Sequence, residues 1–277
     1  MKFTTATLGL VATLASFSSA NAALSSCSKN IALQLTNIYE NGDTDFHYDY
    51  CENLNDGRGY TAGIAGFCSG TSDAWVVIQQ YHKLTGGKDE FSKYDEVMKE
   101  LDKTNSGSVT GLDGYCSVWE KLGKSDAKFR CAQNSIRDSM YLNPSQVIAD
   151  KLGAKLDVTR AQLYDTIIQH GEGTDPDSID ALIERTSASF KANAWGFSGS
   201  LLKINGHNVD EIVWLKKFLE VRMDDLMNPY NKETQEEWSE SVSRVKSYQY
   251  VVAKRQYRWG KSIKALDNDG VVTTIKC

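Results

Sequence analysis

The sequence predicts an α+β protein, mainly α-helical, with one small antiparallel sheet near the N-terminus. Three observations lead there. Apolar residues recur at helical spacing along most of the chain, most cleanly at Ile212, Leu215, Leu219 and Leu226. Only three prolines interrupt 277 residues. Strand-like signals gather in one place: Phe46, Tyr48 and Tyr50 alternate with polar neighbours, Asp56-Gly57 is a hairpin turn, and 58–67 continues as a second strand loosened by Gly59, Gly63 and Gly66.

The N-terminus reads as a targeting leader. Lys2 supplies the positive start, a short apolar run follows, and Ala20-Asn21-Ala22 fits a small-x-small cleavage site, so the mature chain is expected to start at Ala23 and to be secreted. No stretch approaches the about 18 apolar residues of a membrane span. The remaining 255 or so residues suffice for a single domain, 23–277, with room for two lobes. Lys2 is the leader's only charged residue, so the balance after cleavage is 30 basic against 36 acidic residues, a net charge of −6. That argues against nucleic acid, whose phosphates need a basic face, and is compatible with a cationic partner. Six cysteines in an oxidising compartment predict disulfides, with the pairing open. No Cys/His spacing suits zinc and the four histidines are scattered, so neither metal nor cofactor is expected.

Taken in order, Ser28 is expected to cap a helix with Ile31, Leu35 and Ile38 on one face, stopped by Asn41-Gly42. Glu40 then lies in the last turn, where the negative end of the helix dipole disfavours its ionised form, a property useful in a general acid. On local grounds alone Glu40 better suits a solvated helix end, and Asp56 suits a turn former as well as a catalyst. Thr71-Ser72-Asp73 starts a helix ended by Gly86-Gly87. Helical patterns follow at 89–103, 114–122, 126–141 and 144–152, with a Ser/Thr/Gly-rich surface loop at 104–111. Asp157 or Thr159 opens a helix ending at His170-Gly171, and Pro176 suits the first turn of the next. Residues 196–206 read as a loop, 209–227 as the longest clean helix and 233–250 as another. Arg222, beside an apolar face, needs a carboxylate partner, and the end at Cys277 is a candidate for a disulfide anchor.

YENG (39–42), ENLNDGRGYTAGIAGFCSGTSD (52–73) and YDTIIQHGEGTDPDS (164–178) resemble glycoside hydrolase family 46, the secreted chitosanases, and Arg222 and the SRV at 243–245 match further positions. The resemblance spans most of the mature chain. It implies a lysozyme-like, two-lobed fold with a substrate cleft between the lobes, and endo-hydrolysis of β-1,4-linked glucosamine polymers with inversion. By position, Glu40 resembles the general acid, Asp56 the general base that activates water, and Thr61 the residue that helps hold that water. Tyr50, Arg58, Asp73 and His170 fall where the family lines its cleft, and Asp165, Arg222 and Arg244 where it keeps a charged network behind the glutamate. The resemblance also suggests a Cys51–Cys131 disulfide. The segment between the two acids is slightly shorter than in some members.

The chemistry agrees with this assignment. An inverting glycosidase needs a protonated acid on the leaving oxygen and an ionised base on a water across the ring. The implied partner is chitosan, cut by a protein expected to act as a monomer. Two alternatives share the scaffold: a chitinase- or lysozyme-like hydrolase preferring N-acetylated sugars, and an inactive chitosan-binding protein.

Overall fold

The computed structural model describes residues 23–277, so the leader expected over 1–22 lies outside the described residues. The chain folds as α1 (Ser26–Asn41), β1 (Cys51–Asn53), β2 (Tyr60–Ala62), β3 (Phe67–Cys68), α2 (Asp73–Thr85), α3 (Asp95–Thr104), α4 (Tyr115–Ser125) and α5 (Ala127–Arg137). A π-helical turn, Asp138–Leu142, leads into α6 (Asn143–Leu152), followed by α7 (Asp157–His170) and α8 (Ile179–Ala188). The remainder is β4 (Leu201–Ile204), β5 (His207–Asp210), α9 (Glu211–Met227), α10 (Gln235–Glu240), α11 (Ser243–Ala253), β6 (Ser262–Leu266) and β7 (Val272–Lys276). The mainly helical α+β prediction holds, but the described residues carry three antiparallel sheets rather than one: β1-β2-β3 and the hairpins β4-β5 and β6-β7.

Two apolar cores make two lobes. The smaller unites the first sheet with α2–α5 through Phe67, Trp75, Phe91, Tyr115, Trp119 and Phe129. The larger gathers α1, α6–α9, α11 and the two hairpins around Ile31, Leu163, Trp214, Phe218 and Tyr248. A third, minor cluster of Leu33, Leu142 and Tyr164, with Phe46, Tyr141 and Ile168 against it, joins them. The helical run α5–π-turn–α6 crosses this neck, α5 packing on α2 and α6 on α7.

Several local expectations change for identifiable reasons. The cap of α1 is Ser25, whose hydroxyl accepts from the Ser28 amide at 3.0 Å, while Ser28 is buried and donates to the Trp259 carbonyl. Residues 46–50 form no strand, because the Tyr48 carbonyl is taken by the Trp119 indole at 3.1 Å and the Gln133 amide at 2.9 Å. The strand expected at 58–67 breaks into β2 and β3 where Gly63 and Gly66 adopt φ of 69° and 60°. Pro176 precedes α8 instead of entering it, and Ser178 is the cap. The loop expected at 196–206 contains β4, and its Asn205-Gly206 turn, at φ of 52° and 82°, is a hairpin signal that the prediction passed over. The helix expected at 233–250 divides at Ser241, whose hydroxyl donates to the Trp238 carbonyl and accepts from Gln169.

Two disulfides close the chain, Cys27–Cys277 and Cys51–Cys116. The first is the anchor expected at the C-terminus. The second corrects the Cys51–Cys131 suggestion: β1 packs against α4, which carries Cys116, whereas Cys131 is exposed on α5 and unpaired, as is buried Cys68. Alkylation of the native, unreduced protein is therefore expected to label Cys131 alone, and unfolding without reductant to add Cys68. Peptide mass mapping that recovers Cys51 joined to Cys131 would contradict this pairing.

Candidate active site

Glu40 is delivered by α1. Gly42, at φ 84°, stops the helix and returns its amide to the Ile38 carbonyl, leaving the Glu40 side chain 44% exposed at the mouth of the cleft. Its Oε1 accepts from Nη2 of Arg244 on α11 at 2.9 Å. The same guanidinium donates to Asp165 Oδ1 at 2.8 Å, and Arg222 Nη1 donates to Asp165 Oδ2 at 2.7 Å. Thr36, one turn before Glu40 on α1, donates its hydroxyl to Asp165 Oδ1 at 3.2 Å. The three charged residues that the resemblance set behind the glutamate thus meet at one buried carboxylate, drawn from α7, α9 and α11. Burial pushes the Asp165 carboxyl up, but Arg244 and Arg222 outweigh it and hold it at about 2.

His170 does not line the cleft. Its side chain is fully buried at the end of α7: Nε2 accepts from Arg222 Nε at 3.2 Å, so Nδ1 carries the hydrogen and donates to the Asp177 carbonyl at 2.9 Å. The imidazole is a neutral acceptor that fixes the far end of Arg222. Trp238 packs edge-on against the ring, and Asp225 Oδ2 lies 3.6 Å from Nδ1. Burial, and then the positive Arg222, hold its pKa well below the ordinary range. Burial drives Asp225 the other way, to about 6, despite the Arg185 ion pair.

The small lobe supplies the other wall. Thr61 stands in the middle strand, opposite Glu52 and Cys68, with its hydroxyl 3.5 Å from the Cys68 sulfur. Asp56 sits in the β1–β2 turn with its carboxylate 30% exposed; Oδ2 accepts from Arg58 Nε at 2.9 Å and Nη2 at 2.6 Å. Arg58 holds Asp56 below the usual carboxylate range, hence ionised. The turn rests on a glycine contact: a Cβ on Gly107 would lie 1.8 Å from the Gly57 carbonyl oxygen, and one on Gly70 would lie 2.9 Å from that of Arg58. The loop at 104–111, read from sequence as mere surface, is thus the support of the Asp56 turn. Asp73 accepts from the Cys68 amide at 3.0 Å and the Thr71 hydroxyl at 2.6 Å, so it braces the bend after β3. Burial raises its pKa.

Between the lobes lies a cavity of about 410 Å³, lined by Glu40, Thr36, Asn37 and Leu33 of α1 on one side and by Tyr50, Thr61 and Gly63–Gly66 on the other. Glu40, Thr61 and Tyr50 are therefore brought together. Asp56 and Arg58 lie on the exposed turn beside β2, and Asp73 and His170 are not among the lining residues. Sequence reasoning missed Arg137, Tyr141 and Tyr164, which form the floor. Arg137 and Tyr141 lie in a stretch, QNSIRDSMY over 133–141, where polar residues are frequent, so nothing in the sequence singles them out. Among the described residues no cluster of His, Cys, Asp and Glu has metal-binding geometry, and no helix is long and apolar enough to cross a membrane.

Comparison with known proteins gives consistent results. The family model for glycosyl hydrolase family 46 matches residues 34–258. A Bacillus subtilis chitosanase is 41% identical over 248 residues, covering 90% of this chain and 85% of its own. The crystal structure of a native Bacillus subtilis chitosanase superposes with a TM-score of 0.73 at 40% identity, covering 92% of this chain and all of that one, and a mutant of it complexed with 6 GlcN matches equally well. A Gynuella sunshinyii GH46 chitosanase in complex with chitotetraose gives 0.72 at 34% identity, with 92% and 100% coverage.

Two expectations follow from the geometry. Gly107→Ala must displace the Asp56 turn, and turnover is expected to fall by about 10²-fold, as for a reacting group moved by about 1 Å; steady-state kinetics beside a circular dichroism spectrum test it. His170 takes up a proton more readily unfolded than folded, so its contribution to stability is complete above about pH 6.5 and is lost as pH falls below that, by at most about 1.4 kcal/mol per pH unit. Asp225, held at about 6, contributes the opposite slope below that pH. The stability advantage of wild type over His170→Gln in urea unfolding should therefore shrink between pH 6.5 and 5; a constant difference would contradict the neutral assignment.

Proposed function

The chain belongs to glycosyl hydrolase family 46, and from that premise we propose that it is a secreted, monomeric endo-chitosanase that cuts β-1,4 bonds between glucosamine units with inversion. Glycoside hydrolysis is common to its relatives. The observation that carries the finer reading is that Glu40, from the large lobe, and Thr61, from the small lobe, face one cavity, with ionised Asp56 on the turn beside it.

In this reading Glu40 is the general acid. It reaches the leaving oxygen from a rigid helix end, and Arg244 orients its carboxylate through one oxygen. Oε2 has no partner among the described residues and is the atom available to carry and deliver the proton. Asp56, kept ionised by Arg58, takes the proton of a water held by the Thr61 hydroxyl, and that water attacks the anomeric carbon from the face opposite the leaving group. Arg58 is a positioning residue for the base. Asp56 is an exposed side chain, so water reaches it directly from solvent. The net charge of −6 without the leader favours a polycationic chain, and that attraction weakens with salt. Secretion is supported by the leader-like start and by two disulfides, which persist in oxidising compartments.

Glu40→Gln and Asp56→Asn are each expected to lower cleavage of soluble, fully deacetylated chitosan by about 10²- to 10⁴-fold, the range of a lost general acid or base, with the fold retained. Viscosity and oligomer sizes followed together check this: wild type should drop viscosity early with short oligomers. Near-wild-type activity in either variant would remove that residue from its role, and preference for a fully acetylated chain would favour the chitinase-like alternative.

A further inference from the structure

Exposed aromatic side chains of the large lobe gather on a face that the cleft does not use. A second cavity, of about 460 Å³, is lined by Trp195, Phe197, Lys216, Val252, Arg255 and Tyr257 and shares no lining residue with the cleft. Trp195 is 66% exposed and Phe197 is exposed in full. Tyr257 packs behind them against the larger core. Large apolar side chains grouped in water mark a binding surface.

The backbone under the two rings is held firmly. Ala194 pairs with β5: its amide donates to the Asn208 carbonyl at 2.9 Å, and its carbonyl accepts from the Asp210 amide at 2.7 Å. Asp210 Oδ2 accepts from the Ser198 amide at 2.9 Å, and a Cβ on Gly196, between the rings in sequence, would lie 2.5 Å from the Asp210 carboxyl carbon. A surface set before its ligand arrives loses less entropy on binding.

The charge of this face is opposite to that of the protein as a whole. Lys216 and Arg255 line the cavity, and neither is ion-paired among the described residues; Glu220, one turn along α9, pairs with Lys217 instead, at 3.1 Å. Asp210 is the one acid in the lining, and both its oxygens are spent on amides, Oδ1 on those of Ile212 and Val213 and Oδ2 on that of Ser198. Arg255 stands just past the end of α11 at φ 55°, in a closing turn where the Gln256 amide donates to the Val251 carbonyl at 3.1 Å. Glycine takes that position without strain. The chain accepts the strain and places a guanidinium there.

We propose that this face is a second glycan-binding site, for an acidic polysaccharide built of uronic acid units. The apolar faces of the sugar rings rest on Trp195 and Phe197, and the carboxylates accept charge-assisted hydrogen bonds from Arg255 and Lys216. Ammonium groups of chitosan would meet like charge here, so the site does not extend the cleft. A lipid surface needs a convex apolar face, whereas these rings rim a concavity. A polycation collects polyanions around it, so a protein that holds the polyanion on one face is brought to the polycation that its cleft cuts. Only this benefit rests on the chitosan reading above; the binding does not.

The test is affinity electrophoresis in native gels that contain alginate. Alginate should retard wild type in proportion to its concentration, although the net charge of −6 without the leader opposes this, and added salt should weaken the effect. Trp195→Ala should weaken binding by about tenfold, the upper worth of one aromatic contact. Lys216→Gln combined with Arg255→Gln should weaken it by about tenfold at low salt, as for two exposed ion pairs, and remove most of the salt dependence. Cleavage of deacetylated chitosan, followed in parallel, should be unchanged in both variants, which also shows that they fold. No retardation of wild type, or equal retardation of wild type and both variants, would overturn the site. Equal retardation by neutral hydroxyethylcellulose would overturn its preference for acidic chains. Sedimentation with phosphatidylserine vesicles in place of retardation by alginate would overturn the glycan and assign the face to lipid. Failure of folded wild type to cleave chitosan would overturn the chitosan reading alone, since retardation by alginate is read independently of it.

Discussion

The Asp165 carboxylate is the interaction on which the rest depends. It is wholly buried, between two arginines that are themselves buried, and it ties α7 to α9 and α11 and, through Thr36, to α1. A lone charge there would be prohibitive. Two guanidiniums and a hydroxyl make it tolerable, and removing the carboxylate would leave the buried Arg222 uncompensated, at a cost of about 3–5 kcal/mol for such a buried pair. The arrangement exchanges net stability for definition: a helix end that would otherwise splay is held so that Glu40 meets Arg244 in one orientation.

The opposite wall is held by a different physical device. No buried charge supports the Asp56 turn; backbone contact does. Gly70 and Gly107 let their backbone approach that of Arg58 and Gly57 more closely than any side chain would allow, and Gly57 supplies the positive φ of the turn. Asp73 and Ser69 complete the frame, the Ser69 hydroxyl accepting from the Tyr60 amide at 2.9 Å. One acid is thus set by electrostatics in a low-dielectric core, the other by steric contact at the surface. The division suits their chemistry, since a proton donor gains from a rigid, charge-defined helix end and a base must accommodate a water and a moving chain.

The neck between the lobes links these walls. Its apolar cluster of Leu33, Leu142 and Tyr164 is small beside either core, and the helical run crossing it widens to a π turn at Asp138–Leu142. Arg137 and Tyr141, four residues apart and so one above the other on a helix, both face the cavity from this run. Asp138 receives both Arg137 and Lys29, so the neck carries its own ion pairs to α1.

Local sequence patterns determined a good deal of this. The helical periodicity, the Gly42 stop that leaves Glu40 in a last turn, the Asp56-Gly57 turn and the need of Arg222 for a carboxylate all depend on residues near in sequence or on a general cost of burial, and all are present in the fold. Other features follow only from residues distant in the chain. The Tyr48 carbonyl is claimed by Trp119 and Gln133, which cancels a strand that the alternation of 46–50 predicts. Cys51 meets Cys116 because β1 lies on α4, and spacing alone cannot express that. The resemblance alone sets His170 in the cleft, whereas Arg222 and Asp177, from two other segments, enclose it. Gly107 becomes essential only where Gly57 comes against it. The sequence by itself determined which elements form and which chemistry they carry, because those depend on local backbone preference and side-chain type. The tertiary structure alone decided which groups face the cavity and which are spent on one another, because that depends on who competes for each donor and acceptor once the lobes have closed.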